Sequence, residues 1–358
     1  MLVTFPHMGT LDIILKALFR GAGLLVLPPP LVTRQTLELG AKYSPETACL
    51  PFKIALGNYI QGLSLGADTI ITCGGEGPCR LGYYAEVQKN ILTGLGYKFD
   101  MIAIEPNIKS VWHVVNELVG IKKWRQLYQA IQLAGAKLAA TDSIERQSWF
   151  YRPREVAVGQ VDQLRNNVLQ TVDAAIDKAG VASALSKFAG NLAKLVIKPD
   201  FQPLRIGLVG EIYVMLDHFA NQDLVKKLGQ LGAEVYGTIL LGDYVHTHIS
   251  KNRVARHSYQ TVLKLAAPYL GHYIGGHGID SIGNTIKLGQ EGFDGIIQVF
   301  PITCMPEVIA KNILPEVSDA IDIPVLSLGF DEHTGTAGMV TRLEAFVDLL
   351  TYRRRKQA

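Results

Sequence analysis

The stretch Thr69-Ile70-Ile71-Thr72-Cys73-Gly74-Gly75-Glu76-Gly77-Pro78-Cys79-Arg80 decides the fold. Its first four residues form a short β-branched run bounded by turn residues, the pattern of a strand buried on both faces. A glycine-rich loop follows, and a helix is expected from about Arg80. Strand, glycine loop and helix in that order make a βα unit of a parallel sheet. The loop then lies at the carboxyl edge of the strand, where open α/β sheets bind ligands. Working outward, Leu2 to Phe5, Leu24 to Leu27 and Met101 to Ile104 are further short apolar runs separated by segments of helical length.

Between Asn107 and Pro203 the rhythm changes to long helical stretches. Arg154 to Ala179 reads as one helix, with Val156, Val161, Leu164, Val168, Val172 and Ile176 near one face. Trp112, Trp124 and Trp149 all fall in this region and are expected to pack it. Strand-helix alternation returns with Leu204 to Val209, Glu234 to Thr238, Gly295 to Phe300 and Pro324 to Leu328. Gly66-Ala67-Asp68-Thr69-Ile70-Ile71 is echoed by Gly292-Phe293-Asp294-Gly295-Ile296-Ile297, a hint that the two halves are related. The sequence therefore predicts an α/β protein. Two Rossmann-like (flavodoxin-like) parallel-sheet domains, residues 1–106 and 204–358, flank a helical lobe at 107–203.

Composition narrows the function classes. The chain has 358 residues, enough for two or three domains, and its 48% hydrophobic content excludes disorder. Lys plus Arg number 35 against 32 Asp plus Glu, a net charge of +3, which argues against a nucleic-acid partner. The only dense basic run, Arg353 to Lys356, reads as a solvated end. The start of the chain lacks the basic and apolar regions of a secretory signal. No window approaches the ~20 apolar residues of a membrane span. A cytoplasmic protein without membrane contact is expected, and four cysteines in a reducing compartment point to metal or redox chemistry rather than disulfides.

Cys73 and Cys79 bracket the glycine loop. Cys49 in Pro45-Glu46-Thr47-Ala48-Cys49-Leu50-Pro51 and Cys304 in Thr303-Cys304-Met305-Pro306-Glu307 each precede a proline suited to a helix's first turn. Three thiols are thus expected at helix N-termini, where backbone N–H groups and the helix dipole favour thiolate and an anionic iron-sulfur cluster. The loop glycines let the backbone approach and donate hydrogen bonds to sulfide. A structural zinc site prefers paired C-x2–4-C knuckles, whereas this chain has one C-x5-C and two distant singles. Inert buried cysteine is the third reading.

Other motifs contribute less. No G-x-x-x-x-G-K-[ST] phosphate loop occurs, and Gly207-Leu208-Val209-Gly210-Glu211 does not complete G-x-G-x-x-G. His246-Thr247-His248 reads as a solvated loop. Gly275-Gly276-His277-Gly278 is a turn from which His277 can reach the crevice as proton donor or as partner to a ligand. Asp331-Glu332-His333-Thr334-Gly335 follows a strand, so Glu332 and His333 join His277 as catalytic candidates. Glu46, Glu76, Arg80 and Glu307 flank the cysteines, where they can support ligands or form surface ion pairs.

Taken together, Pro45 to Lys53, Gly77-Pro78-Cys79-Arg80-Leu81-Gly82-Tyr83-Tyr84 and Cys304-Met305-Pro306-Glu307 resemble a known group. Gly210-Glu211-Ile212-Tyr213-Val214 with Asn221, and Asp331 to Gly335 through Thr341 to Phe346, extend the likeness over nearly the whole chain. The chain resembles activase-related proteins of the 2-hydroxyacyl-CoA dehydratase, benzoyl-CoA reductase and double-cubane cluster protein superfamily. That resemblance implies a 4Fe-4S cluster held by Cys49, Cys73, Cys79 and Cys304 between two α/β domains. It also implies electrons delivered by a separate ATP-hydrolysing activase of the actin and sugar-kinase type, and a homodimer. Four cysteines are too few for a double cubane. They either close a 4Fe-4S cluster for electron transfer or, as three ligands, leave one iron open for substrate, with Cys73 the least firmly assigned. A non-catalytic cluster scaffold and an acyl-CoA dehydratase-type subunit are the competing functions.

Overall fold

The computed structural model describes residues 1–74, 78–105, 109–110, 114, 124–250 and 252–357. Two four-stranded parallel sheets organise it. The first comprises β1 (Leu2–Thr4), β2 (Leu25–Val26), β3 (Thr69–Cys73) and β4 (Asp100–Ile104), in the order β2-β1-β3-β4. The second comprises β5 (Leu204–Gly210), β6 (Ala233–Gly237), β7 (Gly295–Pro301) and β8 (Val325–Phe330), in the order β6-β5-β7-β8. The fold class is as the sequence predicts, and all eight expected strands form with shifts of a residue or two at their ends.

Helices cross over between the strands: α1 (Leu11–Gly21), α2 (Arg34–Tyr43), α3 (Leu50–Ser64) and α4 (Tyr84–Gly94) in the first half. A 3-10 turn over Arg80–Tyr83 precedes α4, so the helix expected at Arg80 begins one turn later. α5 (Trp124–Tyr151), α6 (Gln160–Ala174) and α7 (Lys178–Leu192) form the lobe around Ile144, Val161, Val172, Phe188 and Leu192. In the second half follow α8 (Ile212–Leu216), α9 (Leu224–Gln230), α10 (Leu241–Tyr244), α11 (Arg253–Ala266), α12 (Gly278–Gln290), α13 (Met305–Ile321) and α14 (Thr336–Gln357).

The two halves are built alike. Each strand order reverses at one point, between β1 and β3 and between β5 and β7, which is where open α/β sheets in general bind ligands. The sequence echo marks the same turn in both. Gly66 (φ +101°) ends α3 and Gly292 (φ +74°) ends α12 in the left-handed region that glycine tolerates. Asp68 then accepts from Leu2 N at 2.7 Å, and Asp294 accepts from Arg205 N at 2.6 Å. Each aspartate pins its central strand to its neighbour. The halves also share a core: Leu37, Leu50 and Ile54 of the first pack with Ile206, Leu208, Val214 and Phe330 of the second.

Three sequence expectations change. The helix expected over Arg154 to Ala179 is two helices. Gly159 at φ +96° and the cap of α7 at Asp177 interrupt it, and Val156 and Ile176 are exposed while Val161, Val168 and Val172 face the core. Trp149 is buried as expected but Trp124 is 63% exposed, and Trp112 lies outside the described residues. The basic end is anchored rather than solvated: Arg354 joins Asp294 and Pro203 O, and Arg353 joins Asp322. No helix among the described residues is long and apolar enough to cross a membrane.

Candidate functional site

Both sheets point their carboxyl edges into one seam between the halves. Cys73 ends β3 and is exposed there. Cys49, Cys79 and Cys304 are the N-caps of α3, the Arg80–Tyr83 turn and α13, with Pro51 and Pro306 in the first turns of the two α-helices. Cys79 follows the central strand of the first half and Cys304 the central strand of the second, so they occupy equivalent places.

Three contacts draw these loops together. The Arg80 guanidinium donates to Thr47 O at 3.1 Å, two residues before Cys49, and to Thr303 O, one residue before Cys304. The turn Gly275 to Gly278 packs against both remaining loops. A Cβ on Gly275 would lie 2.8 Å from Cys79 N, and one on Gly278 would lie 2.4 Å from Pro306 O. Only glycine lets that turn sit so close to both. The three glycines of the turn and Arg80 thus bring the loops that carry Cys49, Cys79 and Cys304 together, while Cys73 stands beside Tyr59 and Tyr244.

Charge at the seam differs from the sequence expectation. The thiols were expected to be shifted toward thiolate by the helix dipoles. Instead, burial pushes Cys49 up to about 11, against opposing hydrogen bonds from the Tyr84 hydroxyl and Phe52 N–H. Burial also raises Cys304, helped by the Glu211 carboxylate and opposed by the Glu307 N–H. Cys73 is an exposed residue at the strand end, yet loss of water around its sulfur raises it in the same direction. Desolvation outweighs the dipole because the anion loses water that a few N–H groups do not replace. Such thiols ionise when a cation arrives to take the charge. Among the described residues, no three His, Cys, Asp or Glu side chains are arranged to hold a metal ion as they stand. The donor chemistry nevertheless suits an iron-sulfur cluster: three thiols, Cys49, Cys79 and Cys304, stand on helix N-caps, and backbone N–H groups are already directed at Cys49 and Cys304.

The second half supplies the polar wall of the seam. Glu307 on α13 is fully buried, accepts from Ser281 at 2.9 Å and Gln298 at 2.8 Å, and is pushed up to about 7, mainly by burial. Glu211, at the end of β5, accepts from Tyr213 N and Val214 N and is also raised by burial. His277 Nδ1 lies 3.1 Å from Asp280 Oδ2. His248 is not in a solvated loop. The wide helical turn over Val245–Ile249 stacks it 4.7 Å from Tyr244 and 5.2 Å from Tyr259.

The other two catalytic candidates stand elsewhere. Glu332 is ion-paired with the buried Lys53 of α3, which also donates to Glu46 O at 3.3 Å. Burial opposes the charge on Glu332, but the Lys53 ammonium holds its carboxyl below the ordinary range. This pair ties the halves together. The His333 side chain is 81% exposed, 3.8 Å from Glu332. Glu76 lies outside the described residues. Sequence reading gave no role to Tyr84 and Glu211, which it quoted only within motifs, and passed over Asp280 and Tyr259. Only Glu211 carried a signal, its place directly after a strand.

No protein-family model matches the chain, and no curated protein matches it.

Proposed function

We propose that the seam holds a 4Fe-4S cluster and that the protein is an electron-accepting reductase or electron-transfer component, fed by a separate ATP-hydrolysing activase. The observation that carries this reading is the meeting of the loops that carry Cys49, Cys79 and Cys304, from both halves, around the Arg80 bridge and the Gly275 to Gly278 turn. These three are the primary ligands, with Cys73 as the fourth. Bound there, the cluster supplies one-electron redox chemistry at low potential.

The chain's own residues would do the rest. Phe52 N–H and Glu307 N–H hydrogen-bond the sulfurs of Cys49 and Cys304, which stabilises the anionic sulfur and tunes potential. The Tyr84 ring packs edge-on to Phe52 at 4.8 Å and shields Cys49 from water. Arg80 places its positive charge beside the ligand loops without entering the ligand set.

The test is iron, acid-labile sulfide and zinc content per chain on anaerobically purified protein, with an EPR spectrum after dithionite. About four irons and four sulfides with a reducible signal are expected. Cys79→Ala and Cys304→Ala should each lose most of the iron, and Cys73→Ala should lose less. Stoichiometric zinc, no metal after anaerobic reconstitution, or full iron in both the Cys79 and Cys304 variants would overturn the assignment. A cluster that neither dithionite nor an activase with ATP can reduce would make the protein a scaffold.

A further inference from the structure

The likeness of the two halves identifies a residue that the cysteine pattern does not. In the first half, the helix leading into the central strand is α3, and its N-cap is Cys49. In the second half, the corresponding helix is α12, and its N-cap is His277. The imidazole therefore stands in the second half where a thiol stands in the first, facing the same seam from the opposite side.

Its surroundings are specific. The ring is 11% exposed, and its Nδ1 meets Asp280, a carboxylate that also receives the Tyr259 hydroxyl. A carboxylate can only accept, so it fixes the tautomer with hydrogen on Nδ1 and leaves Nε2 as the atom that takes a proton. The groups facing the imidazole come from every element around it: Asp280 on α12, Tyr244 with its ring centroid at 6.1 Å, His248 beside it, Glu211 after β5 and Glu307 on α13. Tyr273 interacts with both Asp280 and Cys79, which connects this cluster to the thiols. Burial alone would lower the proton affinity of His277, but the Asp280 hydrogen bond and the neighbouring carboxyl groups raise it above the ordinary imidazole value.

We propose that His277, positioned by Asp280, takes up one proton at Nε2 for each electron that an iron-sulfur cluster held by the thiols of the seam would accept. The inference rests on the cluster reading above. One electron from a low-potential donor and one proton from water enter together, so the buried site gains no net charge. Uncompensated charge in such a site is costly, and an imidazole close by can cancel it by binding a proton.

The experiment is a dithionite redox titration of anaerobically loaded protein, followed by absorbance and EPR, from about pH 5.5 to about pH 9, the range in which imidazoles titrate. The wild-type midpoint potential should fall as pH rises. His277→Gln should keep its iron and lose that slope. Asp280→Asn should keep the slope but shift it to lower pH, since the group that raises the imidazole is gone. Glu307→Gln should retain it. A potential independent of pH in iron-loaded wild type, or a slope that survives in His277→Gln, overturns this inference and leaves the cluster reading intact. Loss of iron from His277→Gln would make it a ligand and equally overturn it. Protein that takes up no iron overturns both readings.

Discussion

Asp142, on the lobe helix α5, accepts a hydrogen bond from Gly242 N at 2.9 Å, and burial together with the Asp243 charge pushes it up to about 7. Unfolded, it ionises near 3.8, so between that pH and about 7 the folded chain binds the extra proton and stability falls as pH rises. Asp142→Asn keeps an oxygen for Gly242 and removes the charge. It should flatten the stability profile over that window and raise stability at pH 8 by about 1–2 kcal/mol, measured by urea denaturation at several pH values. Residues of this kind are invisible in sequence, because nothing near position 142 announces that Gly242 and Asp243 will lie against it. The cysteines were legible for the opposite reason: proline in the next turn and glycine in the loop are local signals, and Cys49, Cys79 and Cys304 are all N-caps.

At the scale of elements, alternation of short apolar runs and helices was enough to find the strands, because parallel strands are buried on both faces and read as continuous runs. The helix expected over Arg154 to Ala179 failed because an apolar stripe continues through a left-handed glycine without showing the break. The cap that starts α7 is testable: Asp177 accepts from Gly180 N at 2.7 Å, and Asp177→Ala should cost about 1 kcal/mol of thermal stability. The paired aspartates of the two sheets make a comparison. Asp68 is half-exposed, whereas Asp294 also receives both the Arg205 backbone and the Arg354 guanidinium. Asp294→Ala should therefore cost about 2–3 kcal/mol and Asp68→Ala about 1 kcal/mol or less, by chemical denaturation. The same contacts explain why the basic end is not a free tail. Its arginines meet carboxylates 31 and 60 residues away, a pairing no local pattern reveals.

At the scale of the whole molecule, the halves are held by contacts that sequence reading did not find. Lys53 meets Glu332, and His7 Nδ1 lies 3.1 Å from the buried Asp217, whose carboxylate also receives Gly9 N. Glu332→Gln removes the charge that Lys53 needs in its buried place. A loss of about 3 kcal/mol is expected, whereas Lys53→Met with Glu332→Leu should come close to wild type. Because the Glu332 carboxyl is held below its ordinary value, the stability it contributes is present above about pH 4.5 and lost as pH falls through its folded value. Acid titration of the wild type and Glu332→Gln should therefore converge at low pH. If the two curves stay parallel there, the ion pair is not what binds the halves.

The span of these contacts along the chain has a kinetic meaning. His7 to Asp217 covers 210 residues, Arg80 to Thr303 covers 223, and Lys53 to Glu332 covers 279. At a synthesis rate of roughly 5–20 residues per second, Lys53 waits about 14–56 s on the ribosome before its partner has been made. Each sheet can close on its own neighbours in that time, but the seam cannot. The Cys49 and Cys79 loops are therefore made well before Thr303 and Glu332, and closure of the seam is expected to follow synthesis of the second half.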